Sequence, residues 1–122
     1  MLTTRTAGNA KALERAIIDQ GGSCSIVELD LVSEDSINNA FADIRQLHGE
    51  PDAVILNAGY LEGRDLPADQ ELLEYIPTEM FDTAQHIASR GPFLVAKAVL
   101  PGMRERGNAP FITRYHFITT LG

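Results

Sequence analysis

A chain of 122 residues, 44% hydrophobic and 22% charged, has the length and composition of one soluble domain, which excludes collagen-like, low-complexity and wholly disordered readings. No apolar run approaches the roughly 20 residues of a membrane span, and the polar stretch from Met1 to Gly8 lacks the apolar segment of a secretory signal. Seventeen acids against ten bases leave a net charge of −7, the wrong sign for neutralising phosphates, so neither nucleic acid nor an anionic membrane is an expected partner.

In chain order, residues 9–20 predict a short helix with Leu13, Ala16 and Ile17 on one apolar face. Gly21 and Gly22 follow, where a left-handed residue costs glycine little. The aliphatic run Cys24–Leu31 predicts a strand. Ser33 is a good N-cap for the next helix, and Glu34 and Asp35 put negative charge at its positive end. Ile37, Phe41, Ile44 and Leu47 recur at helical spacing until Gly49 and Pro51 end the segment. Ala53–Leu56 is apolar without alternation, the pattern of a strand buried on both faces in a parallel sheet.

Residues 60–77, with Gly63, Pro67 and Pro77, read as a loop with room for a short helix. From Thr78 a long amphipathic segment begins. Phe81, Ala84, Ile87, Ala88, Gly91, Val95, Ala98, Val99 and Met103 trace one face, which Pro92 and Pro101 must strain or interrupt. Phe111–Thr113 and Phe117–Thr119 are weak strand candidates. Helices alternating with strands argue for an open α/β sheet with right-handed crossovers, and no linker divides the chain, so residues 1–122 are expected to form a single domain.

Three segments carry a resemblance. They are Glu28-Leu29-Asp30-Leu31, then Asp52 through Asn57-Ala58-Gly59, then Phe81-Asp82 with Gly91-Pro92-Phe93 and Pro101 through Gly107. Each is weak alone. In this order and spacing the chain resembles the middle of a short-chain dehydrogenase/reductase, a family of NAD(P)-dependent oxidoreductases with a Rossmann fold. The resemblance implies a partial Rossmann-like, three-layer α/β/α domain with a mostly parallel sheet, lacking the first strand and the C-terminal catalytic segment. Thr3-Thr4-Arg5 then resembles the end of the second strand.

The resemblance also implies a cofactor, NAD(P), and cofactor-binding positions at Arg5, Asp30, Leu31, Asn57, Ala58 and Gly59. Physics supports the placement, because ligands of open parallel sheets dock beyond the carboxyl ends of the strands. Small residues at 58 and 59 let the backbone approach a flat adenosine closely, although Asn-Ala-Gly after a strand is also an ordinary turn. Arg5 is either a base for a 2′-phosphate or a solvated arginine.

Departures from the pattern bear on activity. None of the ten glycines forms the glycine-rich turn that cradles a pyrophosphate. The family's catalysis implies a Tyr-x-x-x-Lys pair, whose ammonium lowers the phenol's pKa. Four residues beyond Tyr60, Tyr75 and Tyr115 stand Arg64, Glu79 and Thr119, so no catalytic residue is assigned. Leu56 replaces the first Asn of the family's Asn-Asn-Ala-Gly, and Ala88 stands where an Asn supports a proton-relay water. His48, His86 and His116 have no ligand spacing, so no metal is expected.

The lone Cys24 forms no internal disulfide and fits a cytoplasmic setting. The first expectation is an oxidoreductase portion without catalysis of its own. The alternatives are a piece of an active NAD(P)-dependent oxidoreductase and a non-enzymatic module. Self-association through the helix around 78–106 is expected, because removing central strands exposes edges and apolar helix faces.

Overall fold

Ser33 opens the best-formed element of the chain: its side chain accepts from the Ser36 N–H at 3.2 Å. The helix it caps runs over Glu34–His48 and stops at Gly49, whose φ of +78° suits glycine. In the computed structural model, residues 1–59 and 73–107 are described, with the backbone alone at Leu73 and at 111–113. Among them the order is β1 (Leu2–Thr4), α1 (Lys11–Asp19), β2 (Ile26–Glu28), α2 (Glu34–His48), β3 (Val54–Leu56), α3 (Thr78–Gln85), α4 (Gly91–Glu105) and β4 (Phe111–Thr113). A 3-10 turn at Leu73–Tyr75 is the described part of the expected 60–77 loop, and the strand expected at Phe117–Thr119 lies outside the described residues.

All strand pairing is parallel, as the alternating order requires. β1 pairs with β2, Leu2 opposite Ile26 and Thr4 opposite Glu28. β3 pairs with β4, Val54 opposite Phe111 and Leu56 opposite Thr113. The two pairs are separate two-stranded sheets. They nevertheless share one core. Val27, Leu29 and Leu31 from the β2 segment, Ile37, Phe41 and Ile44 from α2, and Val95, Val99 and Met103 from α4 form a single buried cluster, and Val54 and Leu56 pack against it. Both sheets therefore rest on the same α2–α4 layer.

Among the described residues the opposite face is thinly covered. α1 buries no residue, with Leu13 53% and Ile18 51% exposed, so the apolar face expected at Leu13, Ala16 and Ile17 is not a core face. Ile55 is 68% exposed, which corrects the expectation of a strand buried on both faces: alternation along β3 turns Val54 and Leu56 to the core and Ile55 to a side with no helix above it among the described residues. The strand expected over Cys24–Leu31 is shorter, Ile26–Glu28, because its partner β1 spans three residues. Leu47, on the last turn of α2, is exposed.

The long segment from Thr78 is interrupted as its prolines require. A π turn over His86–Arg90 separates α3 from α4, and the Gly91 N–H reaches back five residues to the His86 carbonyl. Pro92 has no N–H, and its ring would press on the carbonyl four residues earlier in a regular helix; the wider turn relieves that clash. Pro101 is tolerated inside α4. Phe81 and Ala88, expected on the apolar face, are exposed, whereas Gly91, Val95, Val99 and Met103 are buried.

Candidate functional site

The parallel pairing of β1 with β2 brings two expected site residues to one edge. The Leu29 N–H donates to the Thr4 carbonyl at 2.9 Å, so Arg5 and Asp30 emerge from adjacent strands at their carboxyl ends. The loop beyond Arg5 is fastened to the same edge, because the Ala7 N–H donates to Glu28 Oε1 at 2.9 Å. Arg5 is exposed and Asp30 half-buried.

Asp30 is held from three directions. Its N–H donates to Ser36 Oγ at 2.9 Å, its carbonyl accepts from the Ser33 N–H at 3.1 Å, and its Oδ1 accepts from the Val32 N–H at 3.0 Å. The last bond closes an Asx turn that fixes where the carboxylate points. A carboxylate has about four acceptor sites, so one backbone contact leaves capacity for an amino or hydroxyl donor. No ion pair to Asp30 forms among the described residues.

Leu31, expected beside Asp30 at the cofactor, turns its side chain inward. Its side chain is 9% exposed and part of the core, so only its main chain is available to a ligand. Gly91 lies against it: a Cβ built there would stand 2.8 Å from Leu31 Cβ and 2.9 Å from the Leu31 carbonyl oxygen. The start of α4 thus buttresses the turn that carries Asp30. Sequence reasoning assigned neither Ser36 nor Gly91 to the site. The spacing Asp30, Ser33, Ser36 was the available signal for the first; for Gly91 only its place opposite Leu31 explains the residue.

Asn57, Ala58 and Gly59 leave the carboxyl end of β3, all exposed, on the other two-stranded sheet. Gly59 does not have positive φ, and a Cβ built on it meets nothing within 4 Å. No local backbone strain therefore demands glycine there. The structure brings Arg5 to Asp30 and Leu31. Asn57–Gly59 share the strand-end side but not the sheet.

The chemistry of these donors fits one part of an expected dinucleotide. A pinned carboxylate, main-chain groups and a base beside them can hold an adenosine and its phosphate-bearing ribose. No glycine-rich turn exists in the 122 residues to receive the pyrophosphate. Neither of two concavities among the described residues lies at this edge. One, of about 320 Å³, is lined at the opposite strand ends by Met1, Cys24, Ser25, Ile44, His48 and Glu50, among others. The other, of about 410 Å³, is lined by Gln85, His86, Ser89, Arg90 and Phe93 along the π turn. Arg90 also pairs with Glu34 at 2.9 Å, tying that turn to the start of α2. The described residues hold no group of three or more acids, histidines and cysteines able to bind a metal, and no helix long and apolar enough to cross a membrane.

Comparison with known proteins places this arrangement. The family profile described as Enoyl-(Acyl carrier protein) reductase matches residues 1–119. The chain is 32% identical over 84 residues to the enoyl-(acyl-carrier-protein) reductase (NADH) FabI of Neisseria meningitidis serogroup B, covering 69% of this chain and 31% of that protein. Among solved structures, a short-chain type dehydrogenase/reductase from Mycobacterium marinum superposes with a TM-score of 0.81 at 21% identity, covering 97% of this chain and 47% of that one. A metagenomic short-chain oxidoreductase, solved in complex with NADP, gives a TM-score of 0.80 at 24% identity over 92% of this chain and 48% of that one. The chain spans half or less of the length of these relatives. Its fold is the Rossmann-like α/β fold of the oxidoreductases it resembles. By the extent of the matched residues, the chain belongs to the short-chain dehydrogenase/reductase family, in the group described as Enoyl-(Acyl carrier protein) reductase.

Proposed function

We propose that this chain carries the adenosine side of an NAD(P) site in an oxidoreductase of the short-chain type, and that its own residues bind without performing acid–base chemistry. The observation that carries the proposal is Asp30, pinned by Val32, Ser33 and Ser36 at a strand end, with Arg5 on the neighbouring strand. When bound, the nicotinamide would exchange a hydride with the substrate. Asp30 would accept hydrogen bonds from the adenosine, Arg5 would face a ribose phosphate, and Ala58 and Gly59 would let the backbone approach. The absence of a Tyr-x-x-x-Lys pair in the 122 residues supports the second half. In a longer oxidoreductase such a pair would come from sequence outside these residues.

Titration with NADP⁺ followed by amide NMR tests the binding. Shifts should move at Arg5, Asp30–Val32 and Asn57–Gly59, with a dissociation constant on the order of millimolar, since no pyrophosphate donors contribute. Asp30→Ala should abolish the shifts at 30–32. A titration that leaves these amides unmoved contradicts the reading, and NADPH consumption by the pure chain contradicts its second half.

A second reading is self-association through residues 78–106, with the cytoplasm as the setting. Phe81 is 58% and Phe93 64% exposed along α3 and α4, and Leu100 adds a third apolar side chain. Phe81→Glu with Phe93→Glu should shift the sedimentation equilibrium towards monomer; a wild-type chain that is monomeric at every concentration tells against this surface.

A further inference from the structure

We propose that Glu28 is a specificity-determining residue of the adenosine edge: its carboxylate opposes Arg5, so that a phosphate on the ribose gains little and the site takes NAD⁺ and NADP⁺ alike. The inference rests on the adenosine-side reading given above and names the residue that decides its nucleotide. A single peptide unit, just beyond Arg5, carries it. The Thr6–Ala7 peptide is held at both ends. Its carbonyl accepts from Thr4 Oγ1 at 3.2 Å and from the Asn9 N–H at 3.0 Å. Its N–H donates to Glu28 Oε1 at 2.9 Å.

Glu28 can reach this peptide because of strand register. Thr4, the residue before Arg5, stands opposite Glu28 in the parallel pair. Val27 is buried in the core, so alternation turns Glu28 away from it and leaves the side chain exposed. Thr6 is extended, with φ of −137°, and its side chain makes no cap bond to the 3-10 turn Ala7–Ala10 that follows. Glu28 therefore supplies the acceptor that the first residue of that turn lacks locally.

The bond has two consequences for a nucleotide. It spends the Ala7 N–H, a donor two residues past Arg5, and it puts a negative charge where a phosphate would otherwise find that donor. Arg5 attracts a ribose phosphate and Glu28 repels it. Both side chains are exposed at the same strand ends, and neither forms an ion pair among the described residues. A free ribose hydroxyl is neutral and meets no such repulsion; it can donate to the second oxygen of the carboxylate. For exposed groups at low salt, one added or removed charge changes the affinity for a dianion by about three- to tenfold. NAD⁺ and NADP⁺ share every other group, so the ratio of their affinities isolates this term.

Amide NMR titrations with NAD⁺ and NADP⁺ at one low ionic strength test the proposal. The wild-type dissociation constants should agree within about threefold. Glu28→Gln keeps an acceptor for the Ala7 N–H and removes the charge, so NADP⁺ should bind about three- to tenfold tighter while NAD⁺ binds as before. That gain should disappear at about 0.5 M salt, and Arg5→Gln should move the ratio the other way. Glu28→Ala loses the bond as well and should speed hydrogen exchange at Ala7, which Glu28→Gln should not. An equal change for both nucleotides in Glu28→Gln would overturn the proposal and leave Glu28 a structural tie. A wild-type preference of about tenfold or more for either nucleotide would overturn it too. If Asp30–Val32 respond to neither nucleotide in any variant, the adenosine-side reading fails and this proposal with it. If they respond but Glu28→Gln leaves the ratio unmoved, this proposal alone fails.

Discussion

Gly91 shows how a single side-chain hydrogen can position a site. Its backbone lies so close to Leu31 that a methyl group would stand 2.8 Å from Leu31 Cβ and 3.0 Å from the His86 carbonyl oxygen. Neither neighbour is a flexible side-chain end, so the helix must retreat from the turn. Gly91→Ala should cost about 1–3 kcal/mol in urea unfolding, the range of overpacked cores. It should also weaken any nucleotide-induced shift at Asp30–Val32, because the turn loses its support. An unchanged midpoint would mean that α4 and the Asp30 turn are not in contact. Asp30 itself was legible in the sequence, as an acid at the end of an aliphatic run. The hydroxyl and amide groups that aim it were not, because a serine three or six residues away reads first as a helix cap or a solvated residue. At Leu31 the sequence did not show which part of the residue faces outward: adjacency does not separate a side chain in the core from a main chain at the edge.

At the scale of elements, α2 and the break in the long helix were the most legible features, and for opposite reasons. In α2 the cap, the spacing of Ile37, Phe41 and Ile44 and the terminal glycine all agree. Between α3 and α4 two prolines disagree with an otherwise helical pattern, and the structure resolves the conflict with a π turn before Pro92. Pro101 receives no such relief. It sits exposed inside α4, without an N–H to offer the carbonyl four residues earlier. Pro101→Ala should therefore raise stability by about 1–3 kcal/mol, read as a higher thermal midpoint with helical content unchanged. A loss of stability would assign Pro101 a packing role that its exposure does not suggest. Strand lengths were less legible: Cys24–Leu31 has the composition of a strand throughout, yet ladder pairing needs a partner, and β1 provides three residues.

The whole molecule is governed by what covers each face of its sheet. One face is closed by α2 and α4, clamped by Arg45, which bonds Glu50 at 2.6 Å and the Ala98 carbonyl, and by Arg106, which bonds the carbonyls of Glu50 and Pro51. The other face offers Leu13, Ile18 and Ile55 to solvent. Pattern alone could not have revealed this asymmetry, because an apolar strand and an amphipathic helix read identically whether or not a neighbour is present to bury them. The asymmetry makes a prediction that ordinary core reasoning would reverse. In a complete three-layer sheet, Leu13→Gln, Ile18→Gln and Ile55→Thr would each empty a buried position and together cost several kcal/mol, by about 2–5 kcal/mol for each large-to-small change in a core. Here the side chains are more than half exposed, glutamine is a good helix former and threonine a good strand former, so the triple variant should keep the wild-type unfolding midpoint. It should be more soluble, since three exposed apolar side chains are replaced by polar ones. A large drop in the unfolding midpoint would show that this face is already covered in solution, by a second copy of the chain or by its own residues.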